Sequence, residues 1–142
     1  RNVLMMEDAH TIEINSDTKY PVISMMEEQK NLEKMGGTMR LGSYECNVVK
    51  NTLLHQIYSQ TIIQERHRHR FEFNNEFLNE FESKGMIFSG INSKNNLMET
   101  IELPSHPWFL GVQFHPEYKS TVENPHPIFS NFINAGLKYS NK

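Results

Sequence analysis

The sequence predicts an α/β fold, a sheet of short strands flanked by helices, on three observations. Trp108-Phe109-Leu110-Gly111-Val112-Gln113-Phe114 is an almost unbroken apolar run, which reads as a strand buried on both faces. Segments 86–91 and 97–103 read as two further strands joined by the polar turn 92–96. From Ile128 the pairs Ile128/Phe129, Phe132/Ile133 and Gly136/Leu137 recur at helical spacing, so a final amphipathic helix packs on the sheet.

Size and composition set the bounds. A chain of 142 residues can bury one real core. With 37% hydrophobic and 22% charged residues it suits a soluble globular chain with polar loops. Its net charge of −3 gives no overall field to recruit nucleic acid or an anionic membrane. No apolar run approaches the roughly 20 residues that span a bilayer, and no signal peptide is visible. One cysteine, Cys46, excludes an intrachain disulfide and fits a reducing compartment, so a cytoplasmic protein is expected.

Taken in order, residues 1–7 read as the end of a helix with Val3, Leu4 and Met5 on its apolar face. No cap precedes that helix, so the chain is expected to be a piece of a longer polypeptide. Residues 8–17 read as loop, with the acid Glu13 between Ile12 and Ile14 at a solvated position. Residues 20–26 read as a short strand, and 27–34 as a charged, exposed stretch.

Met35-Gly36-Gly37-Thr38-Met39-Arg40-Leu41-Gly42 fits neither the dinucleotide pattern nor a phosphate-binding loop, since no Gly-Lys-Ser/Thr follows. It reads as a hairpin turn, with a ligand loop as the alternative. Residues 43–50 alternate as a strand, after which Asn51 or Thr52 caps a helix running to Tyr58. Cys46 falls inside that strand with no glycine beside it. A nucleophilic cysteine wants a sharp turn at a helix N-terminus, so Cys46 reads as structural.

In Glu65-Arg66-His67-Arg68-His69-Arg70-Phe71-Glu72 three arginines alternate with two histidines. On a strand the arginines share one face and the histidines the other. The arginine face suits a fork for carboxylate or phosphate. A plain charged face pairing with Glu65 and Glu72 weighs equally, and a His67–His69 metal site lacks a third ligand by spacing. Asn74 or Asn75 then starts a helix carrying Phe77, Leu78 and Phe81 on one face and ending near Gly85.

The apolar run at 108–114 ends in His115-Pro116-Glu117. Proline holds the residue before it out of the helical region, so His115 is expected extended, with Glu117 on its own side two residues on. A histidine beside a carboxylate is the orienting half of a nucleophilic triad. Of the three His-Pro pairs, those at His106 and His126 read as element boundaries only.

Gly111-Val112-Gln113-Phe114-His115-Pro116-Glu117 resembles the His-Glu end of the class I, triad-type glutamine amidotransferases. Together with the Gly36–Gly42 segment, the Arg-His run and His106-Pro107-Trp108-Phe109, the chain resembles the CTP synthase family from residue 1 to about 137. The resemblance implies a flavodoxin-like α/β glutaminase domain with a mixed sheet flanked by helices, of which residues 1–142 are the C-terminal part. It implies a Cys-His-Glu triad that hydrolyses L-glutamine. The ammonia would pass to a synthase domain that uses ATP and Mg²⁺ to aminate UTP to CTP, in a homotetramer.

Matched residue by residue, His115 is the general base, Glu117 its orienting carboxylate, and Glu13 and Arg70 bind glutamine. Their charges suit the substrate: a carboxylate for its ammonium and an arginine for its carboxylate. The resemblance places the nucleophile elbow, the oxyanion-hole glycine and the synthase half ahead of Arg1. No cofactor or metal is expected in this stretch, which should not turn over by itself. Ala9-His10-Thr11-Ile12-Glu13-Ile14 departs from the family's Ala-Asn-Ser-Thr-Glu-Phe in the substrate pocket. Two other classes compete. A non-catalytic amidotransferase-like module would lack the elbow cysteine, and the intact His115–Glu117 pair argues against it. A nucleic-acid module on residues 66–70 predicts salt-sensitive oligonucleotide binding.

Overall fold

A computed structural model describes residues 1–25 and 39–141. The strands are β1 (Ala9–Thr11), β2 (Tyr20–Met25), β3 (Arg40–Val48), β4 (Ile62–His69), β5 (Phe71–Phe73), β6 (Ile87–Asn92), β7 (Leu97–Glu102) and β8 (Leu110–Val112). The helices are α1 (Leu53–Tyr58), α2 (Leu78–Ser83) and α3 (Pro127–Ser140), with 3-10 turns at Asn75–Phe77 and Pro116–Lys119. Among the described residues the strands form two sheets, ordered β1-β2-β5 and β4-β3-β6-β7-β8. The β1–β2 pair is parallel and the remaining pairs are antiparallel. The α/β expectation of a mixed sheet with flanking helices holds, with the sheet divided in two and the helices short.

Alternation builds β4. Ile63, Glu65 and His67 are buried, while Gln64, Arg66 and Arg68 face solvent, the pattern of a strand with one wet face. Its long register with β3 runs from Arg40↔His69 to Asn47↔Ile62. Beneath lies a core of Cys46, Val48, Leu54 and Ile63, against which Tyr58 and Leu110 pack. Gly90 is required there, because a Cβ would fall 2.7 Å from Cys46 Sγ and 2.8 Å from Thr100 Oγ1.

The helices start where their caps are. Thr52 accepts the His55 amide at 3.2 Å, and the buried Glu102 carboxylate of β7 takes the Leu53 and Leu54 amides, each at 2.8 Å. Asn74 caps the turn into α2, whose Phe81 meets Phe73 and Phe88 at ring distances of 5.1 and 6.1 Å.

Four expectations are corrected. Residues 1–7 form turns, with Met5 at φ 58° and 78% exposed, Val3 exposed and Leu4 only half-buried, so that face is too little covered to hold a helix. The loop over 8–17 contains β1, which gains parallel hydrogen bonds from β2. The run 108–114 is a strand only over Leu110–Val112, half-buried at the edge of the larger sheet. Trp108 leaves that edge to meet α3, its ring 4.9 Å from Phe132 and its Nε1–H donating to Asn131 Oδ1 at 2.6 Å. Finally, α3 packs less closely than its apolar pattern predicts. The helix meets α1, but only Ile128 is buried, while Phe132, Ile133 and Leu137 are each more than half exposed. The Gly36-Gly37-Thr38 turn and the charged stretch 27–34 lie outside the described residues.

Candidate active site

His115 directly follows the buried Phe114, three residues past the end of β8, and begins a 3-10 turn. Its backbone (φ −109°, ψ 88°) is extended enough for Pro116, which opens the turn. Glu117 therefore lies on the turn and not on a continuing strand. The two side chains still meet: His115 Nδ1 and Glu117 Oε1 are 2.7 Å apart. The pair is partly open, with side chains 37% and 54% exposed. Tyr118 stacks on the imidazole at a ring distance of 5.3 Å.

The Glu117 carboxyl sits below the usual carboxylate range. The upward push from burial is outweighed by the sum of its own backbone N–H and the hydrogen bond and charge of His115. A carboxylate on Nδ1 holds the proton there and leaves Nε2 as the basic nitrogen, the tautomer that a general base needs.

His115 donates its backbone N–H to Arg66 O of β4 at 2.8 Å. Four residues along that strand, roughly 13 Å at strand rise, Arg70 stands exposed at the junction with β5. Glu13 is also exposed, in the turn after β1. Register places these two at the same end of the smaller sheet. Thr11 pairs with Ile23 and Ile23 with Phe73, so the row ending in Met25↔Phe71 lies toward both Glu13 and Arg70. They flank that end from the two outer strands. Among the described residues no hydrogen bond or ion pair joins Glu13 or Arg70 to His115 or Glu117.

The Arg-His run resolves as two faces. Arg66, Arg68 and Arg70 are exposed, and none makes an ion pair with a described residue. The partners weighed for them, Glu65 and Glu72, are buried on the opposite face. Glu72 lies 3.5 Å from Arg40 and 3.4 Å from His69, and Arg40 also binds Glu99. His67 and His69 bond to each other, Nδ1 to Nε2 at 2.9 Å. Since His69 Nδ1 donates to Phe71 O at 3.0 Å, its Nε2 accepts and His67 Nδ1 donates. Burial pushes His67 down to about 3, with the charges of Arg40, His69 and His115 adding to the fall, so the ring is neutral. Among the described residues no three His, Cys, Asp or Glu side chains converge on a point a metal ion could occupy.

Cys46 is fully buried, and burial, reinforced by Glu99, pushes its thiol up to about 12. It packs the core and cannot serve as a thiolate nucleophile. Local sequence carried no sign that Lys119, Glu65, Tyr58 and His126 would meet; behind the His115 turn the half-exposed Lys119 joins the buried Glu65, which Tyr58 and His126 also contact. Only the Pro after His126, fit for a first helical position, hinted that this histidine caps α3.

A glutamine amidotransferase class-I family model matches residues 8–135. The chain is 54% identical over its whole length to a CTP synthase of Aquifex aeolicus, spanning 27% of that protein. It is 56% identical over 140 residues to a CTP synthase of Cytophaga hutchinsonii, covering 99% of this chain and 26% of that one. The chain thus spans about a quarter of the length of the curated relatives it matches. A solved structure described as the Trypanosoma brucei CTPS glutaminase domain with bound acivicin superposes with a TM-score of 0.88 at 35% identity. It covers 97% of this chain and 54% of that one.

Proposed function

Because the chain belongs to the class I glutamine amidotransferase family, we propose that it supplies base, orienting carboxylate and substrate grip to the glutaminase of a CTP synthase. The carrying observation is the 2.7 Å His115–Glu117 contact on a turn fixed to β4, in a chain 54% identical to a CTP synthase. His115 Nε2 takes the proton of a cysteine thiol supplied from ahead of Arg1, and the thiolate attacks the glutamine side-chain amide. His115 then returns the proton to the departing ammonia and activates water against the acyl-enzyme. Glu117 keeps the ring in the required tautomer throughout.

Glu13 and Arg70 hold the ammonium and carboxylate of free L-glutamine, which accounts for opposite charges at one sheet end. The ammonia serves a synthase domain that holds UTP, ATP and Mg²⁺, in a homotetramer working in the cytoplasm. The buried free thiol of Cys46 suits that reducing setting. The test is His115→Ala in the full-length protein. Glutamine-dependent CTP formation should vanish while ammonia-dependent formation survives. Retained glutamine-dependent activity, or loss of both, would overturn the assignment.

A further inference from the structure

The turn carrying His115 and Glu117 is docked on the open edge of a sheet, and only half of that docking is backbone. Among the described residues β4 is an edge strand, hydrogen-bonded to β3 on one side. Its outward carbonyls, two residues apart, include Gln64 and Arg66. Arg66 O receives the His115 backbone N–H at 2.8 Å. Gln64 O, which a continuing strand would satisfy with another amide, instead receives Lys119 Nζ at 2.7 Å. The 3-10 turn Pro116–Lys119 is thus pinned at both ends, with its own closure from Tyr118 N–H to His115 O at 3.2 Å.

Lys119 is held from beneath. Its ammonium lies 3.3 Å from Oε1 of Glu65, a carboxylate only 1% exposed. The same oxygen accepts Tyr58 Oη–H at 3.0 Å and His126 Nε2–H at 3.2 Å. His126 must carry its proton on Nε2, because its Nδ1 accepts the Ile128 amide. Burial would raise Glu65, but the hydrogen bonds from His126 and Tyr58 and the Lys119 charge outweigh it and keep the group ionised. The loop then closes on itself, since His126 N–H donates to Ser120 Oγ at 3.0 Å.

We propose that Lys119, anchored by Glu65, is a positioning residue for the His115–Glu117 pair: it substitutes for a strand amide on the β4 edge and fixes the turn's height above the substrate. This rests on those two residues being the glutaminase base and orienter. Lys119 touches neither Glu13 nor Arg70, so its removal should shift the base without loosening the grip on glutamine. An ångström of misplacement can lower the rate by up to about a hundredfold.

The experiment uses the full-length protein with Lys119→Met, which keeps the aliphatic stem, and Lys119→Arg, which restores donors and charge. Glutamine-dependent kcat should fall about tenfold or more in Lys119→Met. KM for glutamine should stay within about twofold, ammonia-dependent CTP formation should be unchanged, and Lys119→Arg should recover most of the rate. A kcat within about twofold of wild type in Lys119→Met overturns the proposal, as does an equal loss of ammonia-dependent activity or no recovery in Lys119→Arg. His115→Ala, assayed alongside, separates the two levels. If it retains glutamine-dependent activity, the function assignment itself has failed, whatever Lys119 does.

Discussion

Glu72 lies at the seam between the sheets, on β5 and against Arg40 of β3. Arg40 has two carboxylates to serve and is closer to Glu99; it stands 3.5 Å from Glu72, neither of whose oxygens is hydrogen-bonded. Burial therefore dominates. It pushes the Glu72 carboxyl from 4.5 up to about 7, with Arg40 pulling back part of the way and Glu99 adding to the rise. Between those two pH values the folded chain keeps a proton that the opened chain has released. Stability must fall as pH rises through that window and level off above it. At about 1.4 kcal/mol per pH unit, the window is worth on the order of 3 kcal/mol, or roughly a hundredfold in the opening equilibrium. Glu72→Gln removes the titration and keeps the shape. Amide exchange of β2 and β5 in the full-length protein, compared between variant and wild type at each pH, cancels intrinsic exchange rates. The variant's relative protection should climb about a hundredfold between pH 4.5 and 7.5, then stay flat. A constant ratio over that range would refute the burial argument, since a Glu72 held ionised by Arg40 would change the ratio only below about pH 4.5.

Two further outcomes concern the site itself. In Glu117→Gln the amide oxygen still reaches His115 Nδ1–H but the charge is gone. Losing a charge-assisted bond of about 1.5–3 kcal/mol should lower glutamine-dependent kcat by ten- to a hundredfold, leaving ammonia-dependent synthesis intact. Steady-state rates with each nitrogen source check it, and an unchanged glutamine rate would remove Glu117 from the triad. Arg70→Lys keeps a cation but loses the planar fork, so KM for glutamine should rise about tenfold. A KM unchanged in a glutamine titration would free Arg70 from the substrate grip.

Much of this was legible in local sequence, where the controlling physics is local. Thr52 and Asn74 start their helices because side-chain caps act within three residues. The two-residue alternation of the Arg-His run foretold opposite faces, and accordingly His67 is buried and His69 half-buried while Arg66, Arg68 and Arg70 are exposed. His115 and Glu117 are near neighbours in the chain, so their contact survived even though the predicted strand became a 3-10 turn.

What the chain order could not reveal depends on partners far away in sequence. An apolar run reads the same at a sheet's centre and at its edge, so only the pairing with β7 alone made β8 short. Likewise nothing local distinguishes an arginine's carboxylate partner. Arg40 reaches Glu99, 59 positions away, and leaves the neighbouring arginines open to solvent. The residues by themselves determined which groups are present: a histidine two positions from a carboxylate, and two opposite charges at Glu13 and Arg70. Tertiary structure decided where that chemistry stands, because the turn carrying His115 is held by a strand edge and a buried glutamate that lie some fifty positions earlier in the chain.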